Sequence, residues 1–410
     1  MTISIKYRLL FEQYFIIACI SAIIMQFINK GYIESIIFPI IIYITAFYNK
    51  KTLPISNSID ILFIVLLMWI MCTWLFNSYE FKWILILRCF FGQIAYMAAY
   101  YIGRTYPKCI IENLFNKTLF PLAICCIIGI YWYFLPPNWY LNNTYKAAEA
   151  VGGLTDLGLV LELSRLRSIF NSPYNIAYMC ALCVTFLFYK VYKCKEKSKK
   201  NGILLFIYLT AMLFCMMRAP IACVLLFFII FQIFSFKYEG KLAKLIKLIL
   251  LIVFITLILS SILRELDPTI LEFIESKFQS VTEDPDELIN NRLDLYSAAN
   301  YSYNLIGDGT GRHAFYVNDI TPQKAIMDGE YTKIMVEQGY IGFSLYIIFF
   351  TVLIIKCLSY FKHLVFELCI VIFYVITMIG ANPLSTPDKY CFIFWLIAGY
   401  ISSFNPKNLQ

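Results

Sequence analysis

Apolar residues in this chain fall into long runs separated by short polar clusters. Runs near 9–28, 31–48, 59–76, 83–103, 114–135, 173–192, 202–218, 219–236, 245–263, 339–358, 364–381 and 390–404 stand out. Most approach the length of about 20 residues that a helix needs to cross the hydrocarbon core of a bilayer; the 219–236 run is short. The pattern predicts an all-α polytopic membrane protein with about twelve spans. The first run is long enough to span and lacks a small-residue cleavage motif, so it reads as a helix and not as a cleavable signal.

Lys and Arg fix the expected orientation. With the N-terminus inside, the inner segments hold Lys6, Arg8, Lys50, Lys51, Arg104, Lys108, the run from Lys190 to Lys200, Lys237 to Lys247, Lys356, Lys362 and Lys407. The short outer turns hold Lys30, Lys82, Arg218 and Lys389. Positive residues accumulate on the cytoplasmic side of membrane proteins, so both termini are expected there.

Two segments resist burial in lipid, and both fall outside. The chain then divides into helices one to five (1–135), a first extracytoplasmic loop (136–172), helices six to nine (173–263), a large extracytoplasmic loop (264–338), and helices ten to twelve with a tail (339–410). The large loop carries helical periodicity. Ile270, Leu271, Ile274, Phe278 and Val281 form one apolar stripe, and Leu288, Ile289, Arg292, Leu293, Tyr296, Ala299 and Tyr303 another. In the first loop, Leu157 to Leu163 follow Thr155-Asp156, a helix start. Such helices would lie on the outer membrane surface or cap the bundle. No internal repeat of the kind that builds paired-half transporters is evident.

Composition agrees with this picture and narrows the function classes. Of 410 residues, 60% are hydrophobic and 15% charged, and the mean hydropathy is +0.71. Soluble domains average about 45–50% apolar and about 25% charged residues, so a soluble enzyme and a nucleic-acid-binding domain are set aside. The net charge of +8 is spent at the ends of apolar runs, as a topology signal and not as a nucleic-acid footprint. The 14 Cys lie mostly inside apolar runs and match neither a disulfide framework nor a zinc site. With two His and no Asp-x-Asp among the outer carboxylates, no metal site is expected. No Gly-rich loop ending in Lys-Ser/Thr is present, so no nucleotide cofactor is expected either.

Candidate chemistry lies on the outer side. Arg167 sits in Arg167-Ser168-Ile169-Phe170-Asn171-Ser172-Pro173-Tyr174-Asn175, Arg218 at the junction before Ala219-Pro220, and Arg292 on the apolar-striped helix of the large loop. Arginine near a membrane is costly unless paired or facing a wet cavity, and its planar fork matches phosphate oxygens. Each could instead snorkel or pair with a nearby carboxylate. Gly307-Asp308-Gly309-Thr310-Gly311-Arg312-His313 has the look of a dinucleotide fingerprint, but no strand precedes it. A glycine turn ending the Arg292 helix is the better reading, with Gly309 and Gly311 open to close approach by a substrate. His313 is expected as a solvent-exposed loop residue, with a catalytic base as the alternative. Asp328, in Met327-Asp328-Gly329-Glu330-Tyr331, either caps the helix that follows or takes a proton from a sugar hydroxyl, with Glu330 competing for the second role.

Taken in order, these elements resemble the O-antigen polymerase and ligase superfamily, and within it the Wzy-type polysaccharide polymerases. The elements are Arg167 through Asn175, Arg218-Ala219, Arg292, the Gly307/Gly309/Gly311 turn, and Asp328 through Tyr331 followed by Gly339 and Gly342. The resemblance implies a GT-C-like bundle in the bacterial cytoplasmic membrane. Its activity would be polymerisation of undecaprenyl-pyrophosphate-linked oligosaccharide units into O-antigen or capsule at the outer face. It further implies that Arg167, Arg218 and Arg292 hold pyrophosphate, that Asp328, Glu330 or His313 is the base, and that Asn175, Gly309, Gly311, His313 and Tyr331 contact substrate. No metal or nucleotide sugar is implied. The partners would be lipid-linked donor and acceptor, the bilayer and a chain-length regulator. Asp328-Gly329 stands where the ligase branch often has His-Asn, which favours polymerase over ligase. A lipid-linked oligosaccharide flippase or a purely structural membrane partner are the other readings. A flippase would concentrate functional charge in mid-bundle and keep its outer loops short.

Overall fold

The computed structural model describes residues 11–28, 32–47, 57–75, 83–106, 108–141, 165–170, 172–196, 198–235, 303–313, 326, 329–385 and 390–405. All regular structure among them is helical. The α-helices are α1 Tyr14–Ile28, α2 Tyr32–Phe47, α3 Ser58–Leu75, α4 Trp83–Gly92, α5 Ala99–Thr105, α6 Cys109–Phe134, α7 Pro173–Phe188, α8 Lys199–Cys215, α9 Arg218–Ser235, α10 Glu330–Ser359, α11 Phe361–Thr377 and α12 Cys391–Ser403. Among the described residues, four helical segments are long and apolar enough to cross a membrane: Ser58–Leu75, Cys109–Phe134, Pro173–Lys193 and Glu330–Ser359. The chain divides into two compact units, Met1–Phe228 with Ser302–Gln410, and Ile229–Tyr301. In the second unit the described residues are 229–235, the end of α9.

Local signals set the helix ends. The Ser172 hydroxyl accepts from the Asn175 N–H at the start of α7, with Pro173 in its first turn, where a missing N–H costs nothing. Ser198 caps α8 in the same way through the Lys200 N–H, and left-handed Met216 ends that helix. Between α4 and α5 the expected continuous span 83–103 is interrupted by a 3-10 turn, Ile94–Ala98, entered where Gln93 leaves the helical region. Hydropathy does not register such a change of helix type.

Side chains in the first unit are arranged as a bilayer demands. Ile61, Val65, Phe120, Ile124, Ile127, Ile203, Phe206, Ile347, Ile348 and Ile355 are exposed on helix surfaces. Buried Thr45, Thr118, Thr185 and Thr377 turn their hydroxyls back to carbonyls of the preceding turn, so these four donors are paired within their own helices. Close packing rests on small residues. A Cβ at Gly399 of α12 would lie 1.9 Å from the Tyr100 carbonyl oxygen of α5, and one at Gly103 would lie 1.8 Å from the Leu396 oxygen, so these backbones touch as glycine alone permits.

Polar groups set the two ends of this bundle. At one end Asp60 pairs with Arg104 at 2.8 Å and accepts from the Tyr100 and Ser402 hydroxyls, while Lys356 Nζ donates to the Ser402 carbonyl. Lys108 pairs with Glu367 at 2.9 Å and Lys117 with Glu12 at 2.6 Å. These contacts join the start of α3 to the ends of α5, α10 and α12, and the start of α6 to that of α11. At the opposite end Trp69 Nε1 of α3 donates to the Gln338 carbonyl of α10, and the Thr73 and Thr310 hydroxyls meet at 2.7 Å. So α3 runs antiparallel to α10, and Arg104, Lys108 and Lys356 mark the first of these ends, hereafter the basic end.

Candidate functional site

The end opposite the basic one is built on a break in α10. Gly339 has φ 68 and ψ −175, which no side-chain-bearing residue adopts at low cost, and it interrupts the helical ladder. The segment 303–313 fills the gap. Asp308 N–H donates to the Val336 carbonyl and Gly309 N–H to that of Glu337, both at 2.8 Å. In return the Tyr340 and Ile341 N–H groups donate to the carbonyls of Asn304 and Leu305 at 3.1 and 3.3 Å. The Val336 and Glu337 carbonyls and the Tyr340 and Ile341 N–H groups are thereby paired across the kink, as an apolar surrounding requires.

The glycines serve this docking. Gly307, Gly309 and Gly311 all have positive φ, at 87°, 116° and 85°. A Cβ on Gly307 would sit 2.5 Å from the Gln338 nitrogen, so the close approach here is of one backbone to another. The Gly311 N–H donates to Glu337 Oε2 at 3.0 Å and the His313 N–H to Glu337 Oε1 at 2.8 Å. One buried carboxylate thus holds the turn by two charge-assisted bonds. His313 is not the solvent-exposed residue expected from the sequence: it is 2% exposed, with Nε2 3.6 Å from Asp308 Oδ2. The bond from its N–H to the buried Glu337 carboxylate holds this part of the turn inside the protein. Arg312 is buried as well, with its guanidinium donating to the Asp308 carbonyl.

Glu330 opens α10 and is fully enclosed. Its Oε2 accepts from the Leu384 and Ser385 N–H groups at 3.0 and 3.2 Å, and its own N–H donates to the carbonyls of Met378 and Ala381. Lys333, one turn on and 1% exposed, donates to the Ser385 hydroxyl at 2.7 Å. Buried Asn382 donates to the Ile326 carbonyl at 2.6 Å. The start of α10 and the turn after α11 are therefore joined by a carboxylate and an ammonium side by side. Tyr331 is half-buried, and its hydroxyl donates to the Val375 carbonyl. The first nine residues of α10 belong to what the sequence assigned to the large loop. Their polar composition hid a helix whose charges are satisfied by other parts of the chain.

The arginine-bearing segment 165–170 lies at the same end. Leu166 N–H donates to the Phe214 carbonyl at 3.1 Å, and the Ser168 hydroxyl donates to the Cys125 carbonyl of α6 at 2.5 Å. Arg167 is buried, 5% exposed. The Phe214 contact sets this segment beside the α8–α9 turn, whose next residues lead to Arg218. Arg218 itself is exposed, at the first position of α9. Asn175 is buried in the first turn of α7. The structure thus collects Arg167 and Arg218 in one region, and Glu330, Tyr331, Gly309, Gly311 and His313 in another. Arg292 and Asp328 lie outside the described residues, as do the striped helices of 270–302 and the apolar patch 157–163.

Lys333, Glu337, Arg312, Asn382 and Ser385 were not singled out from the sequence. Glu330, Lys333 and Glu337 are spaced i, i+3 and i+7 before an apolar run, which places them on one face of a helix and is the signal that could have found them. Among the described residues no group of three or more His, Cys, Asp or Glu is arranged to hold a metal ion. Comparison with protein-family models, curated proteins and solved structures finds no match to this chain.

Proposed function

We propose that this chain is a membrane-embedded glycosyltransferase that joins oligosaccharide units carried on polyprenyl pyrophosphate, working at the bundle end opposite the basic residues. Both termini are then cytoplasmic and that end faces outward. The observation carrying the reading is the concentration of enclosed charge there: Arg167, Arg312, Lys333, Glu330 and Glu337, each 5% exposed or less. Ionisable groups in a membrane bundle are costly, and they mark function by default. Rigidly held backbone and side-chain donors at a bilayer face suit a substrate with an anionic head and an apolar tail.

In this reading Arg167 and Arg218 hold the pyrophosphate of the donor, with Arg292 completing the set. An acceptor hydroxyl attacks the anomeric carbon as the bond to pyrophosphate breaks, and the leaving group departs with the electron pair, neutralised by guanidinium groups. The hydroxyl proton passes to a carboxylate, for which Asp328 is the candidate. Glu330 would position the start of α10, since its Oε2 is engaged by two backbone donors. Attack opposite the leaving group inverts the anomeric configuration. Deletion of the protein tests this in cells. Surface polysaccharide should collapse to single repeat units, whereas loss of all units would indicate a ligase, and unchanged chain length would refute the proposal.

A further inference from the structure

Two interrupted helices bring polar side chains together inside the bundle. One interruption is at Gln93, with φ −135 and ψ −60, where α4 gives way to the 3-10 turn Ile94–Ala98. The other is at Gly339, one residue past Gln338 in α10. Both glutamines are enclosed, Gln338 at 0% and Gln93 at 3% exposure, and so is Tyr346 at 1%. Both amides come within hydrogen-bonding reach of the Tyr346 hydroxyl. A Cβ at Gly342 would lie 2.4 Å from the Gln338 Cβ and 3.1 Å from its Oε1. The missing side chain there lets the Gln338 amide lie along α10 towards Tyr346, two turns on.

The three side chains cannot satisfy one another. Among the described residues, Gln338 Oε1 and Nε2 and Gln93 Oε1 have no aligned hydrogen-bond partner. The Trp69 Nε1–H, which reaches the same stretch of α10, is committed to the Gln338 backbone carbonyl at 3.0 Å. A tyrosine hydroxyl carries one hydrogen, so Tyr346 can donate to one of the two amide oxygens and not to both. At least one buried oxygen therefore needs a donor from outside the trio, and leaving it bare in an apolar interior is costly. Tyr346 also lies in electrostatic reach of Glu330 and Glu337, so these groups continue the enclosed polar cluster of this end into the bundle.

We infer that a buried water molecule binds between Gln93, Gln338 and Tyr346 and bridges the interruption in α4 to the one in α10. Its occupant must donate to an amide oxygen and accept from the Gln338 Nε2–H. Water does both, and ordered water is one of the means by which broken helices at membrane depth regain their hydrogen bonds. A monovalent cation would serve the oxygens and leave the amide N–H groups with nothing to donate to.

X-ray radiolysis tests this, because it splits water into hydroxyl radicals where the water sits and so hydroxylates a buried tyrosine that a bound water touches. The full-length protein in detergent is irradiated, and hydroxylation of each tyrosine is read by peptide mass spectrometry. Tyr208 and Tyr374 are the controls, since both are 0% exposed and donate to the Leu119 and Tyr390 carbonyls. Tyr346 should be hydroxylated well above both. Q93M/Q338M, which removes the amides, should bring Tyr346 down to the level of the controls. If that variant does not fold, the comparison of the three tyrosines in the parent still decides. Hydroxylation of Tyr346 no faster than that of Tyr208 and Tyr374 would overturn the inference, as would unchanged labelling in a folded Q93M/Q338M. Labelling that changes when sodium and potassium are replaced by choline would assign the site to a cation and overturn it too.

Discussion

Replacing Gly339 by alanine is the sharpest test of how the end of the bundle around Gly339 is assembled. The backbone there, at φ 68 and ψ −175, lies in a region essentially reserved for glycine, and holding another residue in it costs about 1–3 kcal/mol. The added Cβ would also lie 2.3 Å from the Leu305 carbonyl oxygen and 2.6 Å from the Gly307 nitrogen. Both are backbone atoms, so relief requires the 303–313 segment to withdraw. Withdrawal stretches the Tyr340 and Ile341 bonds to Asn304 and Leu305, and an amide left unpaired costs about 1–3 kcal/mol. With one amide left unpaired, the loss should be about 2–6 kcal/mol. G202A is the matched control, because that helical glycine faces open space and alanine there should add about 0.5–1 kcal/mol. Equilibrium unfolding in detergent micelles measures both, and hydrogen exchange at the Asp308 and Gly309 amides reports undocking directly. If G339A unfolds within about 1 kcal/mol of the parent and those amides stay protected, the kink does not depend on this docking.

Other substitutions probe the remaining links. E337Q should cost about 2–3 kcal/mol, because an amide replaces one acceptor oxygen facing the Gly311 and His313 N–H groups; faster exchange at those two amides checks it. D60A should cost about 3–5 kcal/mol, read by thermal unfolding, since it strands the Arg104 guanidinium at a site where the pair's side chains are 9% and 4% exposed. Removing a donor that stabilises developing charge lowers rates by about 10²–10³, so R167A should reduce chain elongation by that factor at unchanged protein level. R167K should recover part of this, because lysine keeps the charge and loses the planar fork.

Part of the helix pattern was legible because a helix that crosses a bilayer needs an apolar run of about 20 residues. The runs near 59–76, 173–192 and 364–381 correspond to α3, α7 with its π turn, and α11 within a few residues. The start of α10 was not legible. Glu330, Lys333 and Glu337 look like loop chemistry in sequence, and they become helical because Leu384, Ser385, Gly311 and His313 supply their partners from elsewhere in the chain. His313 was misjudged for the same reason, since burial of a polar residue is decided by a distant carboxylate and not by its neighbours in sequence. Positive φ at Gly309 and Gly311 could be anticipated from the glycine pattern. That the pattern serves docking against Gly339 could not, because the two segments are separated by a stretch with no local signal of contact.

Reconstitution provides the most direct measurement. The purified protein, placed in proteoliposomes with polyprenyl-pyrophosphate-linked oligosaccharide as both donor and acceptor, should generate a ladder of elongated products. Each new linkage should be inverted relative to the donor, and the ladder should shrink to background in the Arg167→Ala protein. Elongation with the donor configuration retained would contradict the inverting transfer. Lipid movement across the bilayer with no elongation would contradict the proposed glycosyltransferase function itself.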